Sequence, residues 1–77
     1  MKITKVYAGK YQVCIDGLPL PLFVSRRLNE DCVPTGEWNM FYGSEWMDTL
    51  CSKKDCIDSI KRMVQDGSIK YCCGIQG

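Results

Sequence analysis

Six cysteines and no histidine bound the chemistry open to this chain of 77 residues. Thiols can ligate zinc, pair as disulfides or act as nucleophiles. Without His, the usual Ser–His and Cys–His nucleophile pairs cannot form within one chain. The cysteines stand at Cys14, Cys32, Cys51, Cys56 and the vicinal pair Cys72–Cys73. No C-x-x-C occurs among them. A zinc site would need four thiolates, for example Cys51, Cys56, Cys72 and Cys73, and adjacent cysteines rarely both reach one tetrahedral ion. Cys56 lies beside Lys53 and Lys54 near the start of a predicted helix, where a thiol's pKa is lowered. The same position belongs to that helix's apolar stripe, which points to burial instead. MKITKV has no long apolar core behind its lysines, so no signal peptide is expected. A reducing cytoplasm is then expected, with most thiols acting as small buried hydrophobes. Neither GxxxxGK[ST] nor GxGxxG is present, and no cofactor or metal is expected. These features point away from an enzyme.

The second chemical resource is charge combined with aromatic rings. Ten Lys and Arg stand against nine Asp and Glu, a net charge of +1. Five cations (Lys2, Lys5, Lys10, Arg26, Arg27) fall in the first 27 residues. Residues 28–48 hold Glu30, Asp31, Glu37, Glu45 and Asp48 and no cation. Four of the eight aromatics, Trp38, Phe41, Tyr42 and Trp46, lie in the same acidic stretch. Trp, Tyr, Phe and Met are enriched at interface cores. These four rings are therefore the candidate contact residues for a protein partner, with the five acids steering a basic surface toward them. The alternative is nucleic-acid binding by Lys2, Lys5, Lys10, Arg26 and Arg27, with Tyr7 and Tyr11 as stacking surfaces. A third reading is a structural domain stabilised by zinc or disulfides. The length and the absence of an ~18-residue apolar run exclude a multidomain enzyme and a helical membrane protein.

The elements that must position these residues are legible from periodicity. Residues 2–8 and 10–16 read as strands around Gly9, the second alternating Tyr11, Val13 and Ile15 with Gln12, Cys14 and Asp16. Asp16-Gly17 signals a hairpin turn, and residues 18–24 read as the returning strand. Pro19 and Pro21 would confine that strand to a sheet edge. Residues 25–37 read as a loop. Residues 38–42 and 45–50 read as a hairpin through Gly43-Ser44, pairing Phe41 with Trp46 and Met40 with Met47. Trp38 and Trp46 would then face opposite sides of the sheet. Trp46, Met47, Leu50 and Cys51 also fit a helical face, so 45–50 is open between strand and helix. Residues 53–66 read as a helix capped by Ser52 and Gly67, with Cys56, Ile57, Ile60, Met63 and Val64 in its stripe. Residues 68–73 read as a short last strand, and GIQG as frayed. The expected fold is α+β: a small antiparallel sheet of four to five strands with one amphipathic helix on one face, in a single domain spanning 1–77. Such a thin core would gain stability from a bound partner or from a homodimer.

The run from Glu37 to Val64, a strand, a Gly-Ser turn, a strand and then SKKDCIDSIKRMV, resembles the ending of small phage and prophage accessory proteins. Phage-encoded inhibitors of bacterial defence, including anti-CRISPR proteins, are similar in size and in surface acidity. The resemblance covers about a third of the chain. It implies a protein that acts in the host cytoplasm without catalysis, by occupying a basic nucleic-acid-binding surface on a host complex. It assigns no role to any single residue. The integrase arm-type DNA-binding domain is similar in its outline of strands followed by a helix, and the acidic segment 28–48 departs from it.

Overall fold

The computed structural model describes residues 1–74. Five strands run in sequence: β1 (Lys2–Tyr7), β2 (Lys10–Cys14), β3 (Leu22–Leu28), β4 (Pro34–Tyr42) and β5 (Glu45–Leu50). They form one antiparallel sheet in the order β1-β2-β3-β4-β5. Two helices complete the fold, α1 (Lys53–Asp66) and α2 (Ile69–Cys72). The α+β class expected from the sequence is the one found.

The alternation in β2 places Val13 inward, fully buried, and Gln12 and Cys14 on the opposite side. Register then carries the inward face across the sheet. Val13 pairs with Leu22, Leu22 with Tyr42, and Val24 with Met40. These residues meet Cys56, Ile57 and Ile60 of α1, and Ile69 of α2, in one core. The α1 ends are as expected: Ser52 Oγ accepts from the Asp55 N–H at 3.1 Å, and Gly67 takes the left-handed conformation at φ 80°. The helix packs over β3, β4 and β5 and leaves β1 outside its cover.

Four expectations need correction. First, the prolines do not mark an edge strand. Asp16-Gly17 does turn the chain, with Leu18 N–H donating to Ile15 O at 3.2 Å. The chain re-enters the sheet only at Leu22, after Pro21, where N–H donors become continuous. The strand that begins there, β3, is central in the sheet and not an edge. Second, residues 25–37 are mostly strand. Only 29–33 connect β3 to β4, as a tight turn in which Asn29 Oδ1 accepts from the N–H groups of Asp31 and Val33. The two strands project as an arm, and the protein is 41 Å long by about 20 Å across. Third, Met40 pairs with Asp48, not Met47, because a bulge inserts Met47. Phe41 does pair with Trp46. The bulge resets the alternation, so Met47 and Leu50 both pack against the core. Fourth, the segment 68–73 holds α2 (Ile69–Cys72) rather than a strand. Asp66 Oδ1 accepts from Ser68 N–H at 2.9 Å beyond the Gly67 cap, and this turns Ile69 back against the core. The expected fraying of GIQG falls, from residue 75 on, outside the described residues.

Candidate functional site

Among the described residues, the sheet has one face covered by α1 and one left open. Register assigns each candidate residue to a face. On the open face, Thr4, Gln12, Phe23, Phe41 and Trp46 are directly opposed across all five strands. A second row holds Tyr7, Lys10, Ser25, Asn39 and Thr49. Lys2 flanks Cys14 at one end, and Arg27 pairs with Glu37 at the other, 3.4 Å apart. The rings of Tyr7 and Trp46 are each 60% exposed, while Phe23 and Phe41 between them are half-buried. Lys10 Nζ lies over two of these rings, 4.8 Å from the Phe23 centroid and 5.9 Å from that of Tyr7. Tyr7, Lys10, Phe23, Ser25, Phe41, Gly43 and Ser44 line a shallow cavity of about 290 Å³. Its floor is shaped by Gly43, whose φ is 61° and where an added Cβ would stand 3.1 Å from Leu20 Cδ1.

Trp46 is held in place by a short relay. Its indole N–H donates to Thr49 Oγ1 at 3.1 Å, and that hydroxyl donates to Asn39 Oδ1 at 2.6 Å. The ring is fixed at its polar edge and open on its surface. This satisfies the indole donor without burying the ring.

The four rings expected to form one contact surface are divided. Phe41 and Trp46 share the open face. Tyr42 is only 8% exposed and belongs to the core, so it is corrected from contact residue to core residue. Trp38 lies on the covered face, packed against the core and near Tyr11, with ring centroids 6.2 Å apart. As expected from the hairpin register, Trp38 and Trp46 point to opposite sides.

The acids are divided as well. Glu30 and Asp31 sit at the tip of the β3–β4 arm, and Glu45 at the far end of β4. Nine residues of β4 separate them, about 30 Å at ~3.3 Å per residue. Glu37 is on the open face beside Arg27, and Asp48 is on the covered face opposite Met40. The structure does not gather these five acids into one patch. Of the five cations, Lys2, Lys10 and Arg27 share the open face, while Lys5 and Arg26 lie on the other side. Arg26 stacks on Trp38 at 5.8 Å, and Lys53 covers Tyr11 at 3.8 Å. Tyr11 is therefore occupied and does not join Tyr7. The sequence reading missed Phe23, which its face-sharing with Phe41 brings into the centre of the open surface.

The thiols depart from expectation. Only Cys56 is buried; Cys14, Cys32, Cys51 and Cys72 are exposed, and Cys73 is half-buried. All six are free. Burial, reinforced by the negative charges of Asp55 and Asp48, pushes the Cys56 thiol up from 9.0 to about 11. Burial in the apolar stripe, as expected, prevails over any lowering by Lys53 and Lys54: desolvation outweighs the helix terminus. Cys56 Sγ donates weakly to Trp38 O at 3.7 Å. Among the described residues, no group of three or more Cys, Asp or Glu is placed to hold a metal ion, so the four-thiolate set is not brought together. No helix among the described residues is long and apolar enough to cross a membrane.

Comparisons with family models, with curated proteins and with solved structures find no match for this chain.

Proposed function

We propose that this chain is a non-enzymatic binding module for single-stranded nucleic acid, working through the open face of its sheet. One observation carries the reading: Phe23, Phe41 and Trp46 form a continuous aromatic row on an uncovered face, with Lys10 over Phe23. Unpaired bases stack on such rings regardless of sequence. A base arriving on Phe23 would displace Lys10, and the freed ammonium would lie beside the backbone phosphates. Lys2 and Arg27 extend the cationic margin at either end. A duplex hides its base faces, so the row favours single strands. Six free thiols suit a reducing cytoplasm.

The test is fluorescence anisotropy of a labelled oligothymidylate against the protein at low salt. Binding should be weakened by Phe41→Ala and by Trp46→Ala. With three cations on the face, log K should fall against log salt with a slope of about −2. No binding at low salt, or binding indifferent to both substitutions, overturns the proposal.

A second reading keeps a protein partner with a basic surface, of the kind an anti-CRISPR-like inhibitor would engage. Trp46, 60% exposed and adjacent to Glu45, supports it. That reading expects Glu45→Lys to weaken association, whereas nucleic-acid binding would be strengthened by the same change.

A further inference from the structure

On the side of the sheet away from the aromatic row, a groove runs between β5, α1 and α2. Met40, Met47, Asp48, Ser59, Met63 and Cys72 line it around a volume of about 260 Å³. The chain has four methionines, and all except Met1 line this one groove. Their convergence has distinct causes in three elements. Met40 faces inward by strand alternation. Met47 is brought to the same side by the β5 bulge. Met63 comes from the stripe of α1, one turn beyond Ile60. Cys72 closes the groove from α2, and its thiol is exposed rather than committed to the core. The groove itself opens to solvent, so Met47 and Met63 are only half-buried.

Thioethers are neutral, soft donors. They bind hard cations poorly and select soft monovalent ions of the Cu(I) type, the more so beside a thiolate. We propose that Met40, Met47, Met63 and Cys72 form a binding site for a soft monovalent cation of the Cu(I) class. The Cys72 thiol loses its proton to solvent as the sulfur–metal bond forms, and no electron changes hands. The resulting thiolate neutralises the ion. The Asp48 carboxylate on the groove wall adds a favourable potential without being a soft ligand. This donor set is different in kind from the clusters of Cys, Asp and Glu that hold zinc or calcium. The site does not depend on the nucleic-acid reading, which uses the opposite face.

The probe is Ag(I), which shares the Cu(I) ligand preference and needs no reductant. The full chain, labelled with ¹³C at the methionine methyl groups, is followed by NMR as Ag(I) is added. The methyl resonances of Met40, Met47 and Met63 should move together within the first equivalent, with Met1 unmoved. Zn(II) should leave all four in place. Met47→Leu/Met63→Leu, which nearly conserves volume, should weaken first-equivalent binding about ten-fold in calorimetry. Should that variant lose its fold, Cys72→Ser serves in its place, because Cys72 is exposed and outside the core. If Ag(I) binds while the three internal methyl groups stay still, thiols alone carry the metal and the proposal is wrong. Unchanged affinity in both variants overturns it equally.

Discussion

Lys10 Nζ stands 4.8 Å from the centre of the Phe23 ring, on the sheet face that α1 leaves uncovered. The contact shields part of a half-buried ring on that face. A half-exposed cation–π contact of this kind contributes roughly 0.5–1 kcal/mol. Lys10→Gln should therefore lower stability by no more than that in urea denaturation. In oligonucleotide binding the same substitution should reduce the steepness of the salt dependence by about 0.7, the increment for one phosphate contact to a single strand. A slope identical to wild type would separate Lys10 from any bound phosphate.

Trp46 and Trp38 provide an internal comparison. Trp46→Ala should leave the melting temperature nearly unchanged, because the ring is 60% exposed. It should cost oligonucleotide affinity about 1–3 kcal/mol, the range for one base–aromatic stack. Trp38 packs against the core from the covered face. Trp38→Ala should instead destabilise the fold by about 2 kcal/mol or more, and the folded fraction should bind with near-native affinity. The reverse pattern would assign the working surface to the helix side.

Cys56 gives a pH dependence with a definite sign. Its thiol is raised in the fold from 9.0 to about 11 by burial, then by Asp55 and Asp48. The folded state thus favours the neutral thiol more than the unfolded chain does. Its contribution is complete below pH 9 and is lost as pH rises toward 11. Wild type should lose stability more steeply over that interval than Cys56→Ala does. With iodoacetamide at about pH 8.5, near the pKa of an ordinary thiol, Cys14, Cys32, Cys51 and Cys72 should be alkylated well before Cys56, as read by peptide mass spectrometry. Early labelling of Cys56 would contradict its burial.

Ile60 is fully buried where α1 meets β3 and β4. Ile60→Ala should cost about 2–5 kcal/mol, a large share of what so small a domain possesses. Ser52→Ala removes only the hydrogen bond to Asp55 N–H and should cost about 1 kcal/mol. Chemical denaturation that ranked the two equally would mean that the helix is held by its cap rather than by its stripe.

The sequence was most readable where one local rule acted alone. The helix from Lys53 to Asp66 has a cap, a stripe and a stop glycine, and all three point to the same boundaries. The Gly43-Ser44 turn and the Phe41–Trp46 pairing were equally plain. The β3–β4 arm was not, because its residues lie beyond the helix and have no covered face to impose alternation. Arg26, Arg27 and Leu28 are all exposed, so their pattern looks like a loop. The Met47 bulge was hidden for a related reason: it serves the core by moving Leu50 inward, a demand set by packing and not by neighbours in sequence. At the candidate site, Trp46 and Phe41 were visible from the hairpin. Phe23 was not, because the prolines before it suggested an edge strand, whereas β3 is central and pairs Phe23 with Phe41. The acids looked like one cluster only because they are close in sequence; a nine-residue extended strand keeps their ends apart.

Every strand of the sheet pairs only with the strand before or after it. No pairing has to wait for a distant segment to be found, and each new ladder closes a short loop on one already formed. Loop-closure entropy is then small at every step. The sheet can assemble by successive zippering from the β3–β4 hairpin, with α1 locking the register of the last three strands. Such a chain should fold quickly for a mostly β protein, with little time spent exposing unpaired edges to aggregation.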